Sequence, residues 1–260
     1  VIIKIKPGQN EEAIESIIDE IGGVLHDPFQ GSGFTIVQLP ELTVEAVPEA
    51  LQALSVKREF FEYVEPDYVI HAALAPNDPR YVDGTQWGLN NLGQNGGSDD
   101  ADIDAPEGWE IIRDASNVTI AVIDTGTRYT HQDLAANMWV NTGEIPNDKI
   151  DNDQNGVIDD KFGFNSILNT GDPKDDNGHG TLVAGIIGAV GNNGIGVAGI
   201  AWRTQLMAVK FLSEDGNGVI TDAVECINYS RLNGAQVINA SWSGGGFSQT
   251  LLNAIEETRE

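Results

Sequence analysis

The sequence predicts an α/β protein in two parts: a small α+β unit, then a doubly wound, mostly parallel sheet. Three observations carry that expectation. Beyond about residue 76, short Val/Ile/Ala-rich runs alternate with helical patterns, which is how strands covered on both faces by helices read. Before that point, shorter extended and helical patterns alternate. Between the two lies Ala72-Ala73-Leu74-Ala75-Pro76-Asn77-Asp78-Pro79, small and proline-punctuated, the composition of an exposed linker. The expected domains are 1–75 and 76–260.

Taken in order, Val1 to Lys6 is extended by its Val/Ile content, and Glu11 to Ile21 is helical by the spacing of its isoleucines. Phe34 to Leu39 is extended, Val44 to Leu54 helical, and Phe61 to Val64 extended, with Tyr68 to His71 as a second extended piece. In the larger part, Val118 to Ile123, Gln205 to Phe211 and Val237 to Ala240 read as buried strands. His179 to Ala189, Ile220 to Leu232 and Gln249 to Glu256 read as the helices between and after them. Ligands of such sheets bind beyond the carboxyl ends of the strands. Asp124 and Ser241-Trp242-Ser243 both fall at such ends, which places them on one rim.

Composition excludes several functions. Forty acidic against 14 basic side chains leave a formal charge of -26, which repels phosphate backbones and anionic lipid. Neither a nucleic acid nor a membrane surface is an expected partner, and no apolar stretch is long enough to span a bilayer. Excess carboxylate suits calcium instead. The single cysteine, Cys226, cannot form an intrachain disulfide, and its place in the apolar pattern from Val219 to Tyr229 predicts a buried, inert thiol. The chain opens at Val1 directly into a strand and stops at Glu260 inside a helical pattern. Both ends are therefore expected to be cuts, with a removed leader upstream.

The chemistry concentrates in two residues. Asp124 ends the run Val118-Thr119-Ile120-Ala121-Val122-Ile123, and His179 lies between Gly178 and Gly180 at the start of an apolar helix. Singly, the first reads as a turn carboxylate and the second as a surface or core histidine. Jointly they read as a base and the carboxylate that orients it.

Three blocks resemble the subtilisin-like serine proteases, or subtilases. They are Ala121-Val122-Ile123-Asp124-Thr125-Gly126 with His131-Gln132-Asp133-Leu134, then His179-Gly180-Thr181-Leu182-Val183-Ala184-Gly185, then Val237-Ile238-Asn239-Ala240-Ser241-Trp242-Ser243. The resemblance implies a secreted, bacterial serine endopeptidase acting on polypeptides through an Asp-His-Ser triad, with Asp124 and His179 as two of its catalytic members. The serine and the oxyanion asparagine are expected beyond Glu260, so the sheet is expected to be incomplete at its carboxyl end and this chain inactive by itself. By the same likeness the first unit is a ferredoxin-like propeptide, an intramolecular inhibitor cleaved between His71 and Asn77. The rival reading is a catalytically dead calcium-binding or interaction module on the same scaffold.

The resemblance also implies the remaining site residues. Ser241, Trp242 and Ser243 on one side, and Leu212 with Gly216, Asn217 and Gly218 on the other, would pair with an extended substrate as added strands. Trp242 stands where subtilases often carry leucine, altering the wall of the pocket for the residue before the scissile bond. A first calcium would be held by Asp133, Asn193 and the carbonyls of Gly191, Ile195 and Val197. A second is suggested by the oxygen-bearing residues at alternating positions of Asp151-Asn152-Asp153-Gln154-Asn155-Gly156-Val157, with ligands from Asp151, Asp153, Asn155 and Val157. Phe162 occupies the place of the bidentate glutamate there, so Asp159 or Asp160 must serve, and Asp160 is the residue chosen. Gly194-Ile195-Gly196-Val197-Ala198-Gly199 fits a dinucleotide fingerprint but follows a helix instead of a strand, and is rejected.

Overall fold

The computed structural model describes residues 1–26, 31–40, 43, 45–68 and 75–259. They fall into two compact units, Val1–His71 and Ala72–Glu260.

In the first unit β1 (Ile2–Ile5), α1 (Glu11–Asp19), β2 (Val24–His26), β3 (Thr35–Gln38), α2 (Ala46–Ser55) and β4 (Phe61–Glu65) follow in a β-α-β-β-α-β order. The sheet order is β2-β3-β1-β4 with every pair antiparallel, a ferredoxin-like arrangement. Helix α1 starts where the Asn10 side chain accepts from the Glu12 N–H, with Glu11 and Glu12 at the positive end of the helix dipole. Ile14, Ile17 and Ile18 of α1 and Ala50 and Leu54 of α2 close over Ile3, Val37 and Phe61 in one core. Strand β2 escapes sequence reading because it is three residues long and leaves Val24 exposed. The expected strand over Tyr68 to His71 and the expected cleavage segment extend into residues 69–74, outside the described residues.

The second unit contains α3 (Pro79–Val82), α4 (Ala105–Ile111), β5 (Asp114–Asp124), β6 (Gly163–Asn165), α5 (His179–Gly188), β7 (Arg203–Lys210), α6 (Ile220–Leu232), β8 (Val237–Asn239) and α7 (Gln249–Glu256). Its sheet runs β6-β7-β5-β8, all parallel. Alternation along the strands divides the core between two faces. Ala121, Ile123, Met207 and Val209 pack with Ala223, Cys226 and Ile227 of α6 and Ala254 of α7. Val122, Leu206 and Ala208 pack with Ala184 of α5 and with Leu134 and Met138. Helices on both faces keep the stretches Ile120 to Ile123 of β5 and Leu206 to Val209 of β7 apolar without a break, the pattern by which they are legible in the sequence.

One expectation is corrected. The segment before α3 is not an exposed linker throughout: Pro76 and Asp78 are buried, because Asp78 accepts from the N–H groups of Asn192 and Asn193, and Asn77 exchanges hydrogen bonds with Asn192 and Gly194. Strand β6 and helix α4 are additional elements. In β6, Gly163 has φ 137°, and a Cβ there would lie 1.7 Å from the Ala208 carbonyl, so glycine is what lets this edge strand close on β7.

Leu206 is fully buried between the sheet and α5. Leu206→Ala is expected to lower unfolding stability by about 2–5 kcal/mol, measured by urea denaturation at unchanged m-value.

Candidate active site

Asp124 is the last residue of β5, in register with Lys210 at the end of β7, and is wholly buried. Its carboxylate accepts from the Thr125 N–H at 2.6 Å and faces the Nδ1 of His179 at 2.8 and 3.0 Å. His179 is the first residue of α5, after Gly178 at φ 111°. Its side chain is half exposed (49%), so with Nδ1 committed to Asp124 the ring offers its Nε2 edge. Asp124 thus favours the tautomer with the proton on Nδ1 and leaves Nε2 as the nitrogen able to take another.

Close approach of the two elements depends on small residues. A Cβ at Gly180 would lie 2.1 Å from the Gly126 carbonyl and 3.1 Å from Asp124, so α5 can meet the end of β5 only with glycine there. Asp175 then ties the helix start in place. It accepts from the N–H groups of Asn177, Gly178 and Thr181, from the Thr181 hydroxyl, and from Thr125 Oγ1, which itself accepts from the Gly180 N–H. Burial works against its ionisation, but those hydrogen bonds outweigh it and hold the carboxyl below the usual range.

The segments expected to meet substrate lie on this same rim. The Leu212 N–H donates to the Asp124 carbonyl, and Trp242 Nε1 donates to the carbonyl of Ile123. Phe211 and Trp242 meet edge to face at 4.9 Å, which joins the two segments. Among the described residues, no hydrogen bond engages the backbone N–H or C=O groups of Ser241, Trp242 or Ser243. The other segment is less open. Asn217 uses its carbonyl on the Ser213 N–H and its own N–H on Ser213 Oγ, and Gly216 donates to Ser213, so its free groups are the Gly216 carbonyl and the backbone of Gly218.

Two acidic regions carry the carboxylates expected to hold calcium. In the first, Asp133 is 2% exposed and accepts from Asn193 Nδ2 and the Val197 N–H. Among the described residues no hydrogen bond ends on the carbonyls of Gly191, Ile195 or Val197, and no basic side chain pairs with Asp133. Asp78, buried against the same loop, is an acidic residue that sequence reading missed. Its only sequence signal was a place just before a proline at a helix start. An all-oxygen set with uncompensated buried charge fits Ca²⁺.

In the second region the carboxylates that cluster are Glu144, Asp153 and Asp160, two of which belong to the EF-hand-like expectation. Glu144, Asp153 and Asp160 bring one carboxylate oxygen each within 4.8 Å of one another. Asp151 is not in that group, because it caps the loop by accepting from the N–H groups of Asn155 and Gly156. Val157 donates its N–H to Asn155 Oδ1, and Asn155 Nδ2 bridges Asp153 and Asp160. Glu144, seven residues before Asp151, lies outside any loop pattern and had no sequence signal. Burial pushes the Asp160 carboxyl up and nearby Asp153 adds to this, against hydrogen bonds from Tyr229, Asn155 and Asn141. Three clustered carboxylates without a basic partner among the described residues fit a hard cation.

Residues 115–260 match the family model described as the subtilase family of peptidases. The chain is a subtilase. It is 35% identical over 257 residues to the thermophilic serine proteinase of Bacillus sp. (strain AK1), covering 98% of this chain and 54% of that relative. It is 40% identical over 175 residues to subtilisin-like protease 1 of Plasmodium vivax, covering 67% of this chain and 26% of the relative. A solved protease of Pseudoalteromonas arctica superposes with a TM-score of 0.54 at 28% identity, covering 72% of this chain and 56% of that one. The subtilase chain thus spans from a quarter to about half of the length of these relatives.

Cys226 is fully buried beneath this rim, its Sγ 3.4 Å from Ser166 Oγ. Burial pushes its thiol up to about 12. The native protein holds this proton more tightly than the unfolded chain, so the contribution to stability is complete below the unfolded value of about 8.5 and is lost as pH rises from there. In the native state Cys226 should resist a thiol reagent at pH 8 and react once the chain is unfolded, which a colorimetric thiol titration reads directly.

Proposed function

We propose that this subtilase chain forms the Asp-His half of a secreted serine endopeptidase, with Asp124 and His179 as its catalytic carboxylate and base. The observation that carries the reading is the pairing of His179 Nδ1 with a buried Asp124 carboxylate while the ring's other edge stays open. In that arrangement the imidazole takes the proton of a serine hydroxyl at Nε2, and the carboxylate stabilises the imidazolium that forms. Besides these two groups the reaction needs a serine hydroxyl and oxyanion donors. Unengaged backbone groups at Ser241 to Ser243 and at Gly218 support pairing with an extended polypeptide, in which main-chain hydrogen bonds provide affinity and side chains are read only by pockets. Trp242 is held beside these groups by its edge-to-face packing on Phe211.

The first unit is assigned as a propeptide that inhibits the enzyme until it is cleaved off. Support comes from its independent core and from a match to the thermophilic serine proteinase that runs through both units. Calcium is assigned structural sites: one at Asp133, Asn193, Asp78 and the carbonyls of Gly191, Ile195 and Val197, the other at Glu144, Asp153 and Asp160. The ion's contribution is to neutralise buried carboxylates and pin the loops, with no part in the reaction.

In the full-length protease His179→Ala is expected to lower kcat for peptide hydrolysis by about three or more orders of magnitude. Turnover near the wild-type level would end the assignment. Removal of calcium by EDTA is expected to lower the thermal midpoint, because a ligand bound only by the native state adds stability by mass action. A midpoint that is the same with EDTA and with added Ca²⁺ would exclude both sites.

A further inference from the structure

Lys210 is a lysine that the peptidase reading leaves without a task. It ends β7 opposite Asp124, and its side chain is 5% exposed. Its ammonium donates to the carbonyl of Thr125 at 2.8 Å, to the carbonyl of Leu212 at 2.6 Å and to Asp176 Oδ1 at 2.8 Å. An ammonium removed from water is costly unless its donors are met, and here each of the three N–H bonds has one acceptor. These acceptors come from three different segments. Thr125 follows Asp124, Asp176 lies in the loop that leads to His179, and Leu212 opens the segment that continues to Gly218.

Displacing any of the three segments would leave a buried charged donor unmet, so the ammonium makes their relative placement stiff. A further contact links the same parts: Asn177 Nδ2 donates to the Glu214 carbonyl at 2.7 Å. We propose that Lys210 is a positioning residue, whose ammonium locks the loop carrying His179 to the peptide-pairing segment 212–218, so that base and bound substrate keep one register. The inference rests on the proposed peptidase function. A satisfied core lysine with only a stabilising role would make the same hydrogen bonds, and the experiment must separate the two.

The test uses the full-length protein with Lys210→Met, which keeps the apolar stem and removes the charge, and Asp176→Ala, which opens the same clamp from its half-exposed end. The readout is the ratio of kcat/KM for a peptide amide spanning several residues before the scissile bond to that for a single-residue ester. Misplacement of about 1 Å can cost about 100-fold, so the ratio is expected to fall by about 10- to 100-fold in both variants, the short ester being much less affected. An equal loss on both substrates, or no loss, overturns the proposal and leaves a purely stabilising lysine. If Lys210→Met does not fold, Asp176→Ala decides alone.

Should the wild-type protein hydrolyse neither substrate, the peptidase reading fails, and the clamp is judged by NMR of ¹³C-labelled histidine. Opening the clamp is expected to shift the His179 ring resonances in both variants, and unchanged resonances overturn the positioning role.

Discussion

The structure of the larger unit turns on a carboxylate that is completely dry. Asp124 has no solvent and no lysine or arginine as its partner among the described residues, and its charge is met by one backbone N–H and one imidazole. Such a group is tolerable only where its partners are held in place, since a buried acceptor that loses them keeps the whole cost of desolvation. The features around it serve that requirement. Glycine at position 180 lets the helix approach, Asp175 fastens the first turn of that helix to Thr125, and β7 runs in register beside β5. The same contacts that satisfy this buried carboxylate fix the orientation of the His179 ring.

That requirement is met by placing the apolar part of the sheet below and the polar part above. The strands beneath the rim are apolar on both faces and sandwiched between α5 and the pair α6 and α7. Their carboxyl ends carry the polar groups, because only there does the backbone leave the sheet and need other partners. Lys210 shows the same transition within one residue: its backbone closes the ladder, and its ammonium satisfies carbonyls just past it. Acidic loops at the periphery obey a related rule. Glu144, Asp153 and Asp160 cluster without a basic partner among the described side chains and meet their oxygens with N–H groups of the surrounding loop instead.

Legibility differed by the range of the interaction. Strands β5 and β7 were readable because helices on both faces demand unbroken apolar runs, and helices α6 and α7 keep the limits that their periodicity predicts. Strands β2 and β6 were not, since three residues carry no period and their pairing is decided by neighbours distant in the chain. The same holds for the segment before α3. It reads as a linker by composition, but Asp78 is drawn inward by N–H groups more than 100 residues away.

For the site, the local sequence determined which groups are present and in what immediate setting: a carboxylate ending an apolar strand, a glycine-flanked histidine opening a helix, oxygen-rich loops. Those follow from periodicity, helix-start chemistry and donor type, all of which act over a few residues. Only the tertiary structure decided the 2.8 Å contact between Asp124 and His179, the clustering of Glu144 with Asp153 and Asp160, and the burial of Asp78 and Lys210. Each is a question of where a charge finds its partner once water is gone, and that depends on the packing of segments that no local pattern connects.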